Sequence, residues 1–348
     1  MRSMMAAFLL VPLFAAAAVA PVDSTAEFRA AGALAMQADM KSALPHLLRV
    51  QPKDLSDAQR KVWACMRERF VAKQAPVIPA DRDPWATRVL SAYRRYWTRV
   101  MLGNESAAAG ERDLAATLAT LVTLPEDAGK TPGMDRIEPL LTAKFEARGY
   151  HALFGVTAPL REFMLWRKQT DETYDIDLPA GREPVHVTMM DDFVSLGWLG
   201  YAVCDYHHTG GWATPERLFA VRSAYDLDSE SFKVSYLAHE GQHFSDYRRF
   251  PGLAQPELEY RAKLVEISKA RASLYDLLAA FDANGGDSRD SPHPWADRQV
   301  IRNLSAKLLK GEPASAEKWK EFSVEQINAA AAELLLEDSK KHSAPGAK

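Results

Sequence analysis

Ala238-His239-Glu240-Gly241-Gln242-His243 decides how this chain is read. Two histidines four residues apart on a helix differ by about 40° of rotation and about 6 Å of rise, so both imidazoles reach one tetrahedral ion. Glu240 follows His239 directly, which lets its carboxylate address a water at the metal without being a ligand itself. The flanking pattern predicts a helix from about Ser229 to Arg248, placed after a small sheet.

A hydrolytic metal site keeps one position open and needs a third protein donor. The break at Arg249-Phe250-Pro251-Gly252 and the restart at Pro256 predict an antiparallel helix pair with that donor on the returning helix. Three carboxylates stand there: Glu257, Glu259 and Glu266. Counting helical rise from the turn, His239 and His243 lie about 13 and about 8 Å away, against about 5 Å for Glu259 and about 15 Å for Glu266. Reach leaves Glu259 and Glu266 both open and sets Glu257 aside.

His239-Glu240-x-x-His243 followed by a helical glutamate resembles the gluzincin branch of zinc metallopeptidases. The resemblance implies a mixed sheet, an active-site helix and a second helix carrying the glutamate ligand. It matches His239 and His243 to the histidine ligands, Glu240 to the general base, and Glu259 in Glu259-Tyr260-Arg261-Ala262 to the third ligand. It also implies one Zn2+ per chain. It covers roughly residues 185–300, and only the short motif is specific. Two departures stand out: the spacing from His243 to Glu259 is a little shorter than usual, and Lys263 occupies the place of a common acid. Both keep Glu266 in view. The metzincin branch is not matched, because Asp246 and Arg249 stand where it has Gly and a third His.

Zinc proteases commonly meet the developing oxyanion with a His or Tyr donor from a downstream loop. His293, flanked by Pro292 and Pro294, fits that description, and a plain surface-loop histidine is the other reading. Tyr247 and His208 are the reserves. His207-His208 with Thr209-Gly210-Gly211-Trp212 lines a cleft or forms a polar loop, and Asp246 either orients a histidine or ends a helix in solvent.

The rest of the chain frames this motif. Ser24 to Tyr150 reads as four or five packed helices; Trp85, Val89, Tyr93, Tyr96 and Val100 form an apolar stripe on one of them. A short helix is expected over Leu160 to Lys168. Strands follow at Thr173–Leu178 and Pro184–Met190, joined by a hairpin signal at 179–183. Further strands are expected at Phe193–Cys204 and Leu218–Tyr225, and further helices at Pro256–Asp282 and Ser323–Ser339, the last with a Ser323/Gln326 capping box. This is an α+β chain: a helical domain over 21–150, then a zincin-like domain over 151–339 with a small mixed sheet and an active-site helix pair. A disordered tail is expected over 340–348.

Residues 1–20, with Arg2 before an apolar, alanine-rich run, read as a signal peptide, so a periplasmic or secreted location is expected with no stable membrane span after its removal. Export would permit Cys65 and Cys204 to pair, although two buried thiols fit equally. The 43 basic and 46 acidic residues are interspersed, which excludes the basic footprint of a general nucleic-acid binder. The sequence therefore points to an exported zinc metallohydrolase acting on a peptide or protein. A zinc hydrolase of other amides or esters and a non-catalytic exported binding protein are the alternatives.

Overall fold

The computed structural model describes residues 23–72, 83–124, 132–214, 216–311 and 314–343. The expected leader and the last five residues lie outside them. Six helices open the described chain: α1 (Ser24–Ala35), α2 (Met40–Arg49), α3 (Asp57–Phe70), α4 (Pro84–Met101), α5 (Ala107–Ala119) and α6 (Met134–Glu146). That is at least one more than the periodicity predicts. Their starts are set by side-chain caps, Asp23, Asp39, Ser56, Asp83 and Ser106 each accepting from first-turn backbone N–H groups. The stripe on α4 is core: Trp85, Val89, Tyr93 and Tyr96 are all buried.

Five strands follow, β1 (His151–Thr157), β2 (Leu160–Leu178), β3 (Gly181–Leu196), β4 (Gly211–Ala213) and β5 (Leu218–Val221), in the order β1-β2-β3-β5-β4. Only β3 and β5 run parallel, so the sheet is mixed. The predicted hairpin exists with Leu178 opposite Gly181, but both arms are far longer than expected. The helix expected over Leu160 to Lys168 is instead the first half of β2. Phe163 and Leu165 pack on the N-terminal helices while Met164 and Trp166 join a separate cluster, and a run buried on both faces does not reveal its period. The strand expected at Phe193–Cys204 stops at Leu196. Gly197, at φ +84°, turns the chain into α7 (Gly197–Ala202).

Two large cores result. The first joins the N-terminal helices to β1, the start of β2 and α7, so it crosses the boundary expected at residue 150. Cys65 of α3 and Cys204, just after α7, form a disulfide within this unit, 139 residues apart in sequence. Replacing either cysteine by Ser is expected to cost about 2–5 kcal/mol of stability, read as a lower urea midpoint; an unchanged midpoint would show the crosslink is dispensable.

The second core packs the far half of the hairpin and β5 against the C-terminal helices. A π-helical segment, Ser231–Ala238, runs directly into α8 (His239–Arg249). Then come α9 (Gln255–Lys269), α10 (Leu274–Asn284), α11 (Pro292–Leu308), α12 (Ala316–Trp319) and α13 (Val324–Ser343). The single helix expected over Pro256–Asp282 is thus two, α9 and α10. The predicted turn between α8 and α9 is present, with Gly252 at φ +107°. Gln326 N donates to Ser323 Oγ, and Ser323 N to the Gln326 side chain, as the capping box requires. Lys340–Ser343 continue α13, which shortens the expected tail. No helix among the described residues is long and apolar enough to cross a membrane.

Candidate metal centre

Helix α9 packs among α8, α11 and α13 and is buried along most of its length. Buried charge is tolerated only when paired, so each polar residue of α9 needs a partner. Arg261, fully buried, donates to both carboxylate oxygens of Asp246 at 2.7 and 2.9 Å and to Asp338 at 2.8 Å. Asp246 is therefore neither a histidine-orienting group nor a solvated helix end. Lys263 pairs with Asp297 of α11 at 2.8 Å.

Glu259 and Glu266 turn toward α8. His239 Nδ1 lies 2.6 Å from Glu266 Oε1, while its Nε2 faces His243 Nε2 at 3.2 Å and Glu259 Oε2 at 3.5 Å. His243 Nε2 is 3.4 Å from Glu259 Oε1. The packing that brings the helix this close to the sheet explains Gly241: a Cβ there would meet Ile176 Cδ1 at 2.8 Å. His239, His243 and Glu259 are all buried and form the candidate metal cluster among the described residues. Glu257 instead pairs with Arg289 at 2.5 Å, away from the cluster.

Three observations fit a divalent ion held by these residues. A tetrahedral ion with donors about 2.0–2.1 Å away spaces them about 3.3–3.4 Å apart, close to the three separations found. The Glu259 carboxylate faces one histidine nitrogen with each oxygen, Oε2 toward His239 Nε2 at 3.5 Å and Oε1 toward His243 Nε2 at 3.4 Å, and Oε2 is buried without a hydrogen bond of good geometry. The buried charges of Glu259, Glu266 and Asp297 against Lys263 leave a surplus of two negative charges, which a divalent ion with neutral histidines balances. Without a metal, protons take that role. Burial opposes charge on His239, but Glu266 and Glu259 overcome it and push its pKa up to about 10. Burial likewise disfavours a charged Glu259, yet contacts with His239, His243 and His293 hold its carboxyl far below the usual range.

His293 reaches the cluster by an unexpected route. It occupies the first turn of α11, not a loop. Pro292 and Pro294 suit this position because first-turn N–H groups have no intrahelical acceptor. Its Nδ1 lies 2.9 Å from Glu259 Oε2 and its side chain is 66% exposed, so it covers the ligand carboxylate from the solvent side. Of the reserve donors, His208 Nδ1 contacts the Thr209 carbonyl at 2.8 Å and the Tyr247 ring stacks on His243 with centroids 6.3 Å apart. Sequence reasoning missed the Lys263–Asp297 pair, since Asp297 lies on a helix that the Pro-His-Pro run conceals.

Glu266 and His293 therefore hold groups of the candidate metal cluster in place. If the cluster holds a divalent metal, Glu266→Ala and His293→Ala are each expected to weaken its binding by about 10- to 100-fold, whereas Glu257→Ala leaves it unchanged. Competition with a chromophoric chelator measures this; equal affinities across all three variants would overturn the assignment.

Glu240, half-buried in the first turn of α8, stands next to this cluster. Burial, and after it the negative charge of Glu240, raises the pKa of Tyr225, Tyr236 and Tyr247. Strand β4 packs against α8, is bonded on one side only, to β5, and forms the edge of the sheet. Comparison with protein-family models, with curated proteins and with solved structures finds no match for this chain.

Proposed function

We propose that this protein is an exported zinc-dependent peptidase. The observation that carries this reading is the convergence of His239 Nε2, His243 Nε2 and Glu259 in one buried cluster, with Glu240 adjacent to the first ligand. A purely structural zinc site has four protein ligands and no use for a carboxylate beside it. When bound, zinc supplies Lewis acidity, lowering the pKa of water and polarising a substrate carbonyl. Glu240 takes the proton of the attacking water and returns it to the leaving amine. Glu266 fixes His239 in the tautomer that presents Nε2, and His293 steadies the Glu259 carboxylate.

The free edge of β4 favours a peptide over a small amide or ester, because an extended chain can pair with it beside α8. The Cys65–Cys204 disulfide supports an oxidising compartment. Metal analysis of the purified protein, followed by cleavage of a peptide library with and without a chelator, tests the proposal. One zinc per chain and chelator-sensitive cleavage are expected; zinc-free protein, or cleavage indifferent to the chelator, would defeat it.

A further inference from the structure

We propose that Tyr225 is a catalytic residue whose hydroxyl donates a hydrogen bond to the oxyanion formed when water adds to the scissile carbonyl. The inference rests on the peptidase reading above. Two donors suggested by the sequence are otherwise engaged, His293 Nδ1 on Glu259 and His208 Nδ1 on a backbone carbonyl, and the third, Tyr247, has its ring stacked on that of His243, centroids 6.3 Å apart. Of the other two tyrosines that feel Glu240, Tyr236 donates its hydroxyl to the Phe219 carbonyl inside the sheet. The hydroxyl of Tyr225 has no hydrogen-bond partner among the described residues.

Its position suits the role. A Cβ on Gly210 would sit 2.4 Å from the Tyr225 hydroxyl oxygen, so the phenol lies against the backbone immediately before β4. Its ring packs on Tyr236 with centroids 4.9 Å apart. Tyr236 precedes Glu240 by four residues, about one helical turn, so both lie on one face. The phenol is thus held between the free strand edge, along which a peptide would run, and the helix face carrying the base.

The step balances without a net change at Tyr225. The water oxygen bonds to the carbonyl carbon, the C=O π pair moves onto oxygen, and Glu240 accepts the water's proton. Tyr225 shares its proton with that oxyanion and keeps it. Collapse restores C=O, breaks the C–N bond, and the amine leaves with the proton from Glu240. Burial and the charge of Glu240 keep the phenol protonated well above neutral pH, as a neutral donor must be.

The test compares zinc-loaded wild type, Tyr225→Phe and Gly210→Ala, the last adding a methyl where the hydroxyl sits. Both variants are expected to lose about 100-fold in kcat with KM and zinc content unchanged. A phosphinic peptide, which carries a tetrahedral oxyanion in place of the scissile amide, is expected to bind both variants about 100-fold more weakly by calorimetry, while the unmodified product peptide binds equally. If wild type cleaves the library and Tyr225→Phe matches it in kcat and in phosphinic-peptide affinity, the donor role is wrong and the peptidase reading stands. If zinc-loaded wild type cleaves nothing, the peptidase reading falls and takes the role of Tyr225 with it.

Discussion

Glu240→Gln is expected to retain one zinc per chain and to lose about 100- to 10,000-fold in kcat. Glutamine matches glutamate in size and leaves the ligand set of His239, His243 and Glu259 intact, so metal content should not respond. What it lacks is a carboxylate oxygen basic enough to take a proton from water. Glu240 is well placed for that exchange: it is only half-buried, one residue from His239, in the first turn of α8. KM should change little, because the side chain acts on water and not on the peptide. Steady-state kinetics and metal analysis on the same preparation check this. A variant that keeps zinc and still cleaves at the wild-type rate would remove Glu240 from the chemistry.

Much of this centre is legible in sequence because helical spacing is rigid. Four residues fix His239 and His243 on one face whatever surrounds them, and the Pro251-Gly252 turn folds α9 back onto α8. The choice between Glu259 and Glu266 is not legible. Their axial positions bracket the histidines almost evenly, and the structure gives both a place, Glu259 against the two Nε2 atoms and Glu266 on Nδ1 of His239. Lys263, where the resembled gluzincin pattern has an acid, is explained only by Asp297, a partner 34 positions away that no local pattern reveals. The same limit hides α11, where two prolines read as a loop although Pro292 begins a 17-residue helix. It also hides the first half of β2, whose residues are buried by different neighbours on each face. The π-helical turns before His239 leave no mark in the hydrophobic period, yet they place the Tyr236 hydroxyl on the Phe219 carbonyl of β5. Local geometry carries the motif; the groups that tune it come from contacts between distant segments.

His239→Ala, His243→Ala and Glu259→Ala are each expected to reduce zinc from one per chain to nearly none after gel filtration, because each leaves only two of three ligands. Full stoichiometry in any of the three would refute the ligand set. The buried charge adds a signature that simple truncation does not carry. With Glu259 and Glu266 on either side of its ring, metal-free His239 holds its proton up to a pKa of about 10. At pH 7 the metal must therefore displace that proton from Nε2, while the Nδ1 proton stays with Glu266. The raised pKa fixes the sign: metal-free protein is the protonated form below pH 10, so rising pH favours zinc. Calorimetry in buffers of different ionisation enthalpy should report release of about one proton per zinc, and apparent affinity should climb about tenfold per pH unit from neutrality toward pH 10. Glu266→Gln removes one of the two carboxylates that hold the proton, so the same titration should show less proton release and a flatter pH dependence. Proton release identical to wild type in that variant would show that Glu266 does not control His239, and would return the orienting role to another group.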